Sequence, residues 1–361
     1  MDKPATPLLS GKIKTLDGIR GLAILMVCCY HYLQRFSFGW TGVELFFVLS
    51  GFLITGKLVE SLGSPHYFRS FYTKRLLRII PLYYFVLLVF FVLVPVLLPF
   101  FVSSSFKELL QHQVVYWTFT VNVRDALQGW PVNITLIHFW SLACEMQFYL
   151  LWPFVVYFFY RNSSSFKIVL IVFFLGGMLF RIYGSAFFQM NWVYRYVLLP
   201  CRMDAFCAGA FIYLLTSRGE IERYKRLFMI IALAVLCAVL AIMVIAKTPW
   251  HFSAAVVSSY GYSLDAIFWA AIIGLVLSAV PTSGIRIFSG RPLTTLGKYS
   301  YGIYVFHLPV LIVLSSQFLL NIQKNEKTIS LAFTAFVISC LCSFASYHLF
   351  EKYFLKLKPA A

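Results

Sequence analysis

The N-terminal segment LDGIRGLAILMVCCYH places an arginine, Arg20, and an imidazole, His31, around an apolar stretch. The two residues are eleven positions apart, and at about 100° per residue this is roughly 1,100°, or three helical turns plus about 20°. They therefore share one helix face, about 16 Å apart along the axis. A guanidinium binds phosphate groups, and an imidazole can accept a proton near neutral pH.

A second pair of ionisable residues, His138 and Glu145, lies in the segment HFWSLACEMQF, where a spacing of seven again gives one helix face. Counting along the predicted span places Glu145 about 10 Å below the outer surface, near the depth expected for His31. A carboxylate beside an imidazole fixes its tautomer and raises its basicity, which makes a general base. The same placement fits a hydrogen bond between His31 and Glu145 that only holds two helices together, and both interpretations stay open.

Other ionisable residues interrupt apolar segments, where each costs free energy and is a functional candidate. Glu44 fits either an acid at the membrane interface or a part of the site. Arg202 lies deep enough to need a carboxylate partner, which Asp204 or another buried acid would supply. For Asp265 and His307 we expect structural roles.

The segment KRLLR contains Arg75 and Arg78 at the predicted cytoplasmic end of the third membrane span. Guanidinium groups there suit bidentate contacts to phosphate, but arginines at an inner membrane edge are also common topological anchors. In the second span, Ser50 and Gly51 are small residues that favour close approach between helices.

The composition indicates an all-α polytopic membrane protein, because 61% of the residues are hydrophobic, 12% are charged and the mean hydropathy is +0.82. The 30 lysines and arginines against 13 acidic residues fit basic loops between membrane spans, so we expect no nucleic-acid partner.

The eight cysteines all lie in apolar segments without metal-ligand spacing, and we expect no metal site. The first apolar run has no small-residue cleavage site after it, which predicts a retained span.

Ten segments are long enough, or nearly so, to cross a bilayer. We predict them near residues 16–34, 41–58, 79–101, 136–160, 166–183, 192–216, 226–246, 256–280, 300–320 and 329–350. A weaker segment, 106–122, would lie at the interface or re-enter the membrane. Lysines and arginines concentrate in the loops that face the cytoplasm if both termini are inside. No internal repeat or linker divides the chain, so a single domain over residues 1–361 is expected.

The motifs resemble, in series, those of the acyltransferase-3 family of membrane O-acyltransferases, over residues of about 14–356. The segments that carry the resemblance are LDGIRGLAILMVCCYH, GVELFFVLSGFLIT, KRLLRIIPLYY, HFWSLACEMQFYLLWP, CRMDAFCAGA, LGKYSYGIYVFHLPV and ASYHLFEKYFLKL. The usual SLAVEEQFY is SLACEMQFY here, so Glu145 matches the first glutamate and Met146 replaces the second. Glu44 stands where the family usually has aspartate.

The resemblance implies transfer of an acyl group, commonly acetyl, from cytoplasmic acyl-CoA to a hydroxyl of a surface carbohydrate, such as lipopolysaccharide O-antigen, peptidoglycan or exopolysaccharide. Acetyl-CoA would be a donor substrate, with no permanently bound cofactor. Some members carry a further extracytoplasmic domain, and we expect this chain to be the stand-alone form. Its expected place is the cytoplasmic (inner) membrane, as a multi-pass protein in contact with lipid.

By the same resemblance, His31 would be the general base or a transient acyl carrier, with Glu145 orienting it. The arginines expected to hold the phosphates of CoA are Arg20, Arg75 and Arg78. The residues expected to support the site or bind substrate are Glu44, His138, Trp140, Ser141, Arg202 and Asp204, with Trp140 stacking on a sugar ring. The competing function is a proton-coupled transporter or flippase, which buried ionisable residues also fit. A third interpretation, suggested by Met146, is a relic without catalytic activity.

Overall fold

The computed structural model describes residues 13–33, 36–188, 192–279, 287–318 and 327–357. Within these ranges the regular structure is entirely helical, as predicted. The α-helices are, in chain order, α1 (Ile13–Tyr32), α2 (Thr41–Glu60), α3 (Tyr67–Leu88), α4 (Val94–Leu97), α5 (Ser104–Gln111), α6 (Gln113–Trp117), α7 (Val121–Gln128), α8 (Phe139–Phe159), α9 (Ser163–Phe188), α10 (Tyr194–Val197), α11 (Met203–Ser217), α12 (Lys225–Ala246), α13 (Tyr262–Ser278), α14 (Arg291–Phe318), α15 (Lys327–Ser346) and α16 (Lys352–Lys356).

Nine helical segments of the described ranges are long and apolar enough to cross a membrane, which confirms a multi-pass protein. The first predicted span corresponds to α1. This helix is not among the nine, because Asp17, Arg20 and His31 make it less apolar. Helix α1 packs against α2 and α14, so most of its side chains meet protein. A helix enclosed in this way can carry polar residues through a bilayer.

Glycines set the two closest helix crossings. A Cβ on Gly297 of α14 would lie 1.8 Å from the backbone oxygen of Asp17, and one on Gly18 of α1 would lie 1.7 Å from that of Phe288. At the crossing of α2 and α11, a Cβ on Gly51 would lie 2.0 Å from a backbone oxygen of α11. The backbones can therefore touch only because these positions lack a side chain, which confirms the packing role predicted for Gly51.

Two predicted span boundaries are wrong in ways that matter for the site. Helix α3 begins at Tyr67 and not near residue 79, so Arg75 and Arg78 lie within the helix. Hydropathy excluded these basic residues, although a helix can extend beyond the lipid with one polar face. The predicted span 192–216 is broken into α10, a 3₁₀ turn at Leu199–Arg202 and α11, because Pro200 interrupts the helical hydrogen bonding.

The weaker segment 106–122 forms three short helices, α5, α6 and part of α7, none long enough to span a membrane. The bundle has two distinct ends. Its basic end contains Arg20, Lys57, Arg75 and Arg78, and the positive-inside rule predicts that this end is cytoplasmic. The prediction that both termini are cytoplasmic concerns residues 1–12 and 358–361, which lie outside the described ranges.

Candidate active site

A central cavity of about 260 Å³ runs between α1, α2, α3, α8 and α14. On α2 its lining extends from Lys57 near the basic end to Val43 near the opposite end, a distance of about 21 Å along the helix axis. The cavity therefore follows α2 through most of a membrane thickness. It brings together six of the residues singled out from the sequence, namely Arg20, Ser50, Arg75, Arg78, Ser141 and Glu145.

The basic end of the cavity is a cluster of cations. Arg20 forms an ion pair with Asp17, in which Nη1 lies 3.0 Å from Oδ1. The guanidinium carbon of Arg75 lies 5.8 Å from the ring centre of Tyr149. The Nε atom of Arg75 is buried and has no hydrogen-bond partner among the described residues. With Arg78 and Lys57, the lining of the cavity contains four basic side chains and one carboxylate, that of Glu145, so this end is suited to an anionic ligand.

Glu145 lies along the middle of the cavity. It accepts a hydrogen bond of 2.6 Å from Ser50 Oγ and a second from the Tyr149 hydroxyl. The predicted contact between Glu145 and His31 is wrong, because both described partners of this carboxylate lie on α2 and α8. Met146, at the position of the family's second glutamate, packs against the hydrophobic core.

Ser141 and Tyr304 line the far end of the cavity, and their hydroxyl oxygens are 2.5 Å apart. Each hydroxyl also lies within hydrogen-bonding distance of the backbone oxygen of His138, at 3.0 Å from Ser141 and 3.2 Å from Tyr304. Because each hydroxyl has one proton, one of them donates to this oxygen while the other donates to its partner hydroxyl. The Tyr304 ring centre is 5.4 Å from that of His138 and 5.4 Å from that of His307. Tyr304 therefore lies between the cavity and a group of histidines.

These histidines, His31, His138 and His307, form a histidine cluster in which the ring centres of His31 and His307 are 4.9 Å apart and those of His138 and His307 are 4.8 Å apart. His138 is the N-cap of α8, and Glu145 lies seven residues further on, about 10 Å along the axis. The residue of α8 that joins the cluster with His31 is thus His138. The prediction that Glu145 lies level with His31 is wrong. His31 is not among the residues that line the cavity.

The position of His138 depends on a proline in α14. Pro309 has no backbone N–H, so the oxygen of Val305, four residues earlier, receives no helical hydrogen bond from it. His138 Nε2 lies 3.2 Å from this oxygen, and because a carbonyl only accepts, Nε2 must carry the proton. The helix defect therefore orients the imidazole. The other nitrogen of His138, Nδ1, is buried without a hydrogen-bond partner among the described residues.

Two buried ion pairs join neighbouring segments of the bundle, one between α2 and the Leu199–Arg202 turn and one between α9 and α11. Arg202 donates to Glu44 Oε2 at 2.9 Å, and both side chains are 1% exposed. Asp204 is instead paired with Arg181 at 2.8 Å, so the acid that satisfies Arg202 is Glu44 and not its sequence neighbour. Glu44 is buried rather than interfacial. For Asp265, the hydrogen bond from Trp250 Nε1 at 3.2 Å fits the predicted structural role.

Trp140 is 4% exposed and packs against Tyr196, so its ring offers no free face for a sugar. The more accessible rings belong to an aromatic cluster around Phe252, which includes Trp130, Trp192 and His251. Tyr30 connects this aromatic cluster to the histidine cluster. Its hydroxyl is 3.4 Å from His251 Nε2, and its ring centre is 5.0 Å from that of His31. Burial lowers the pKa of His251, which favours its neutral form. The aromatic cluster lies at the end of the bundle opposite the basic residues.

The family profile for an acyltransferase domain (Acyl_transf_3) matches residues 13–348. The chain belongs to the acyltransferase-3 family. This confirms the family that the series of motifs predicted. Among curated proteins, it is similar to the peptidoglycan O-acetyltransferase OatA of Listeria monocytogenes, with 29% identity over 83% of this chain and 49% of that protein.

Other curated members of the acyltransferase-3 family align over comparable lengths. The O-acetyltransferase OatA of Staphylococcus aureus is 27% identical over 84% of this chain and 51% of its own length. The putative peptidoglycan O-acetyltransferase YrhL of Bacillus subtilis is 28% identical over 94% of this chain and 54% of its own length. The chain thus spans about half the length of these relatives. No solved structure matches it.

Sequence reasoning gave His307 only a structural role, and it missed Tyr304, Arg181 and Tyr149. Tyr304 and His307 are three residues apart on α14, which places them on one helix face, and Pro309 follows closely. That pattern could have drawn attention to them. Arg181 and Tyr149 gave no comparable signal, because each lies alone in an apolar segment and its partner comes from a contact that the local sequence does not reveal.

Proposed function

We propose that this acyltransferase moves an acetyl group from cytoplasmic acetyl-CoA to a hydroxyl of a carbohydrate at the other side of the membrane. The observation that carries the proposal is the cavity, which connects an arginine cluster at the predicted cytoplasmic end with Ser141 and Tyr304 beside the histidine cluster. Family membership and the named O-acetyltransferase relatives support acyl transfer.

The donor would bind with its phosphates at the basic end. Arg20, Arg75 and Arg78 can hold several phosphate oxygens, and the unpartnered Nε of Arg75 lacks an acceptor of that kind. CoA carries its thioester on a long flexible arm, which would extend past Glu145 along the cavity. Glu145, which accepts hydrogen bonds from Ser50 and Tyr149, would support the cavity wall.

His31 would act as the general base. Its Nδ1 is 3.0 Å from the Val27 oxygen, so Nδ1 carries the proton and Nε2 has the free lone pair. The acceptor hydroxyl would give its proton to Nε2 as its oxygen attacks the thioester carbon. The C–S bond then breaks, and the thiolate takes the proton from the imidazolium. Tyr304 lies between the cavity and the histidines, so its side chain must turn away from Ser141 when the acyl group passes.

A covalent route uses the same residue. In that route Nε2 of His31 attacks the thioester carbon, the C–S bond breaks and CoA leaves as its thiolate. The acceptor hydroxyl oxygen then attacks the acetyl carbon, the bond from that carbon to Nε2 breaks, and the hydroxyl proton passes to the Nε2 that is set free. Both routes need the Nε2 lone pair. They differ in whether CoA is released before the acceptor binds.

The acceptor would approach from the aromatic end. Sugars present apolar C–H faces that stack on aromatic rings, and the half-exposed rings of Trp130 and Phe252 lie near Tyr30, next to His31. Peptidoglycan is the acceptor in the names of two relatives and is our first candidate, with lipopolysaccharide O-antigen or exopolysaccharide as alternatives. The place of action would be the cytoplasmic membrane.

The test is acetyl transfer by the purified protein in lipid nanodiscs, with radiolabelled acetyl-CoA and soluble peptidoglycan glycan strands. His31→Ala should lower kcat by about 10²–10⁴-fold, the usual contribution of a general base. Arg20→Ala should raise the KM for acetyl-CoA. His66→Ala, at an exposed loop position, is the matched control and should behave as wild type.

Normal transfer by His31→Ala at wild-type abundance would refute the assigned base. The transporter interpretation makes a different prediction, because nanodiscs hold no ion gradient and a transporter would leave the thioester intact. NMR of the cell-surface polysaccharide with and without the gene would identify the acceptor by its lost O-acetyl signals.

A further inference from the structure

The histidine cluster contains a second imidazole whose protonation is fixed by its contacts. His307 Nδ1 lies 2.6 Å from the backbone oxygen of Tyr304. The carbonyl can only accept, so Nδ1 of a neutral His307 carries the proton and Nε2 presents a lone pair. The side chain is completely buried, which holds the ring in this orientation.

That lone pair faces His31. The distance from His307 Nε2 to His31 Nδ1 is 3.2 Å, and His31 Nδ1 carries a proton because it also contacts the Val27 oxygen at 3.0 Å. The single Nδ1–H of His31 is therefore shared between two acceptors, the Val27 oxygen and His307 Nε2. The same assignment leaves Nε2 of His31 free, and no hydrogen bond between described residues uses that atom.

We propose that His307 is the positioning residue of His31: its Nε2 holds the Nδ1–H of His31 and stabilises the imidazolium that forms when His31 receives the acceptor proton. This inference rests on the proposed function, and it gives His307 the role that the sequence suggested for Glu145. A hydrogen bond to a charged donor is stronger than one to a neutral donor, so the contact strengthens as the reaction proceeds.

The surroundings of His307 explain why an imidazole can serve here in place of a carboxylate. Its neighbours are His138 from the start of α8, Tyr304 from its own helix and Tyr32 from α1, whose hydroxyl donates to the His307 backbone oxygen at 3.2 Å. Among the described contacts of His307 none involves a carboxylate. An unpaired buried carboxylate would be costly at this depth, whereas a neutral imidazole is not.

The test compares His307→Gln with His307→Asn in the nanodisc assay. Glutamine places its amide near the position of Nε2 and can accept from His31, whereas asparagine is one methylene shorter and its amide lies near the position of Nδ1. We expect His307→Asn to lower kcat by about 10- to 150-fold, with an unchanged KM for acetyl-CoA. His307→Gln should recover most of that loss.

Tyr32→Phe is the control for a purely structural effect. It removes a hydrogen bond to the backbone oxygen of His307 and another to Ser339, but leaves both imidazoles in place. It should lower the melting temperature with little change in kcat. Equal kcat values for His307→Asn and His307→Gln, whether both near wild type or both low, would overturn the positioning role. If wild-type protein transferred no acetyl group, or transferred it without His31, the proposed function itself would be wrong.

Discussion

Replacing Arg75 by glutamine tests the donor site most directly. Arg75 lines the basic end of the cavity, and its Nε is buried without a partner among the described residues, so a phosphate would satisfy an atom that is otherwise unsatisfied. A hydrogen bond to a charged group contributes about 1.5–3 kcal/mol, which corresponds to a change in affinity of about 10- to 150-fold. We expect Arg75→Gln to raise the KM for acetyl-CoA by that factor, with a smaller change in kcat.

The assay is a titration of acetyl-CoA in nanodiscs at saturating glycan strands. Arg69→Gln is the matched control, because Arg69 lies on the same helix but is exposed and outside the cavity lining. Arg75→Lys keeps the charge and loses the planar fork, so its KM should fall between those of wild type and Arg75→Gln. If Arg75→Gln and Arg69→Gln gave the same KM, the cavity would not be the binding site for the donor phosphates.

Glu44→Gln leaves the buried guanidinium of Arg202 without a counter-charge and should destabilise the protein by about 3–5 kcal/mol, seen as a lower melting temperature. Gly51→Leu should reduce the folded yield on gel filtration, because an added Cβ already lies 2.0 Å from the backbone of α11; Gly176→Ala, with nothing within 4 Å, should fold normally. Tyr304→Phe removes the hydroxyl contact with Ser141 between the cavity and the histidine cluster and should raise acetyl-CoA hydrolysis without acceptor by about fivefold.

Each of these outcomes has a clear opposite. An unchanged melting temperature for Glu44→Gln would mean that water or another group compensates Arg202. A normal yield of Gly51→Leu would show that α2 and α11 separate at no cost. Unchanged hydrolysis by Tyr304→Phe would argue against a barrier at Ser141 and Tyr304.

The sequence predictions were right about residues that neighbour each other on one helix, but they could not identify partners that come from different helices. Arg75 and Arg78 were correctly grouped because their spacing places them near each other on one helix, although the helix starts earlier than hydropathy suggested. Arg202 was expected to need an acid, and burial confirms that need. Its partner could not be chosen from the sequence, because Asp204 is closer along the chain and Glu44 reaches it only through the packing of α2 against the start of α11.

By itself, the sequence determined that this protein is a helical membrane protein of the acyltransferase-3 family and that Arg20 and His31 share a helix, since composition and the 3.6-residue period are local properties. Only the tertiary structure decided which groups meet His31. The offset between neighbouring helices along the membrane normal depends on where glycines let backbones touch and where helices break, as at Gly297 and Pro200. That offset brings His307 to His31 and leaves Glu145 in the cavity wall.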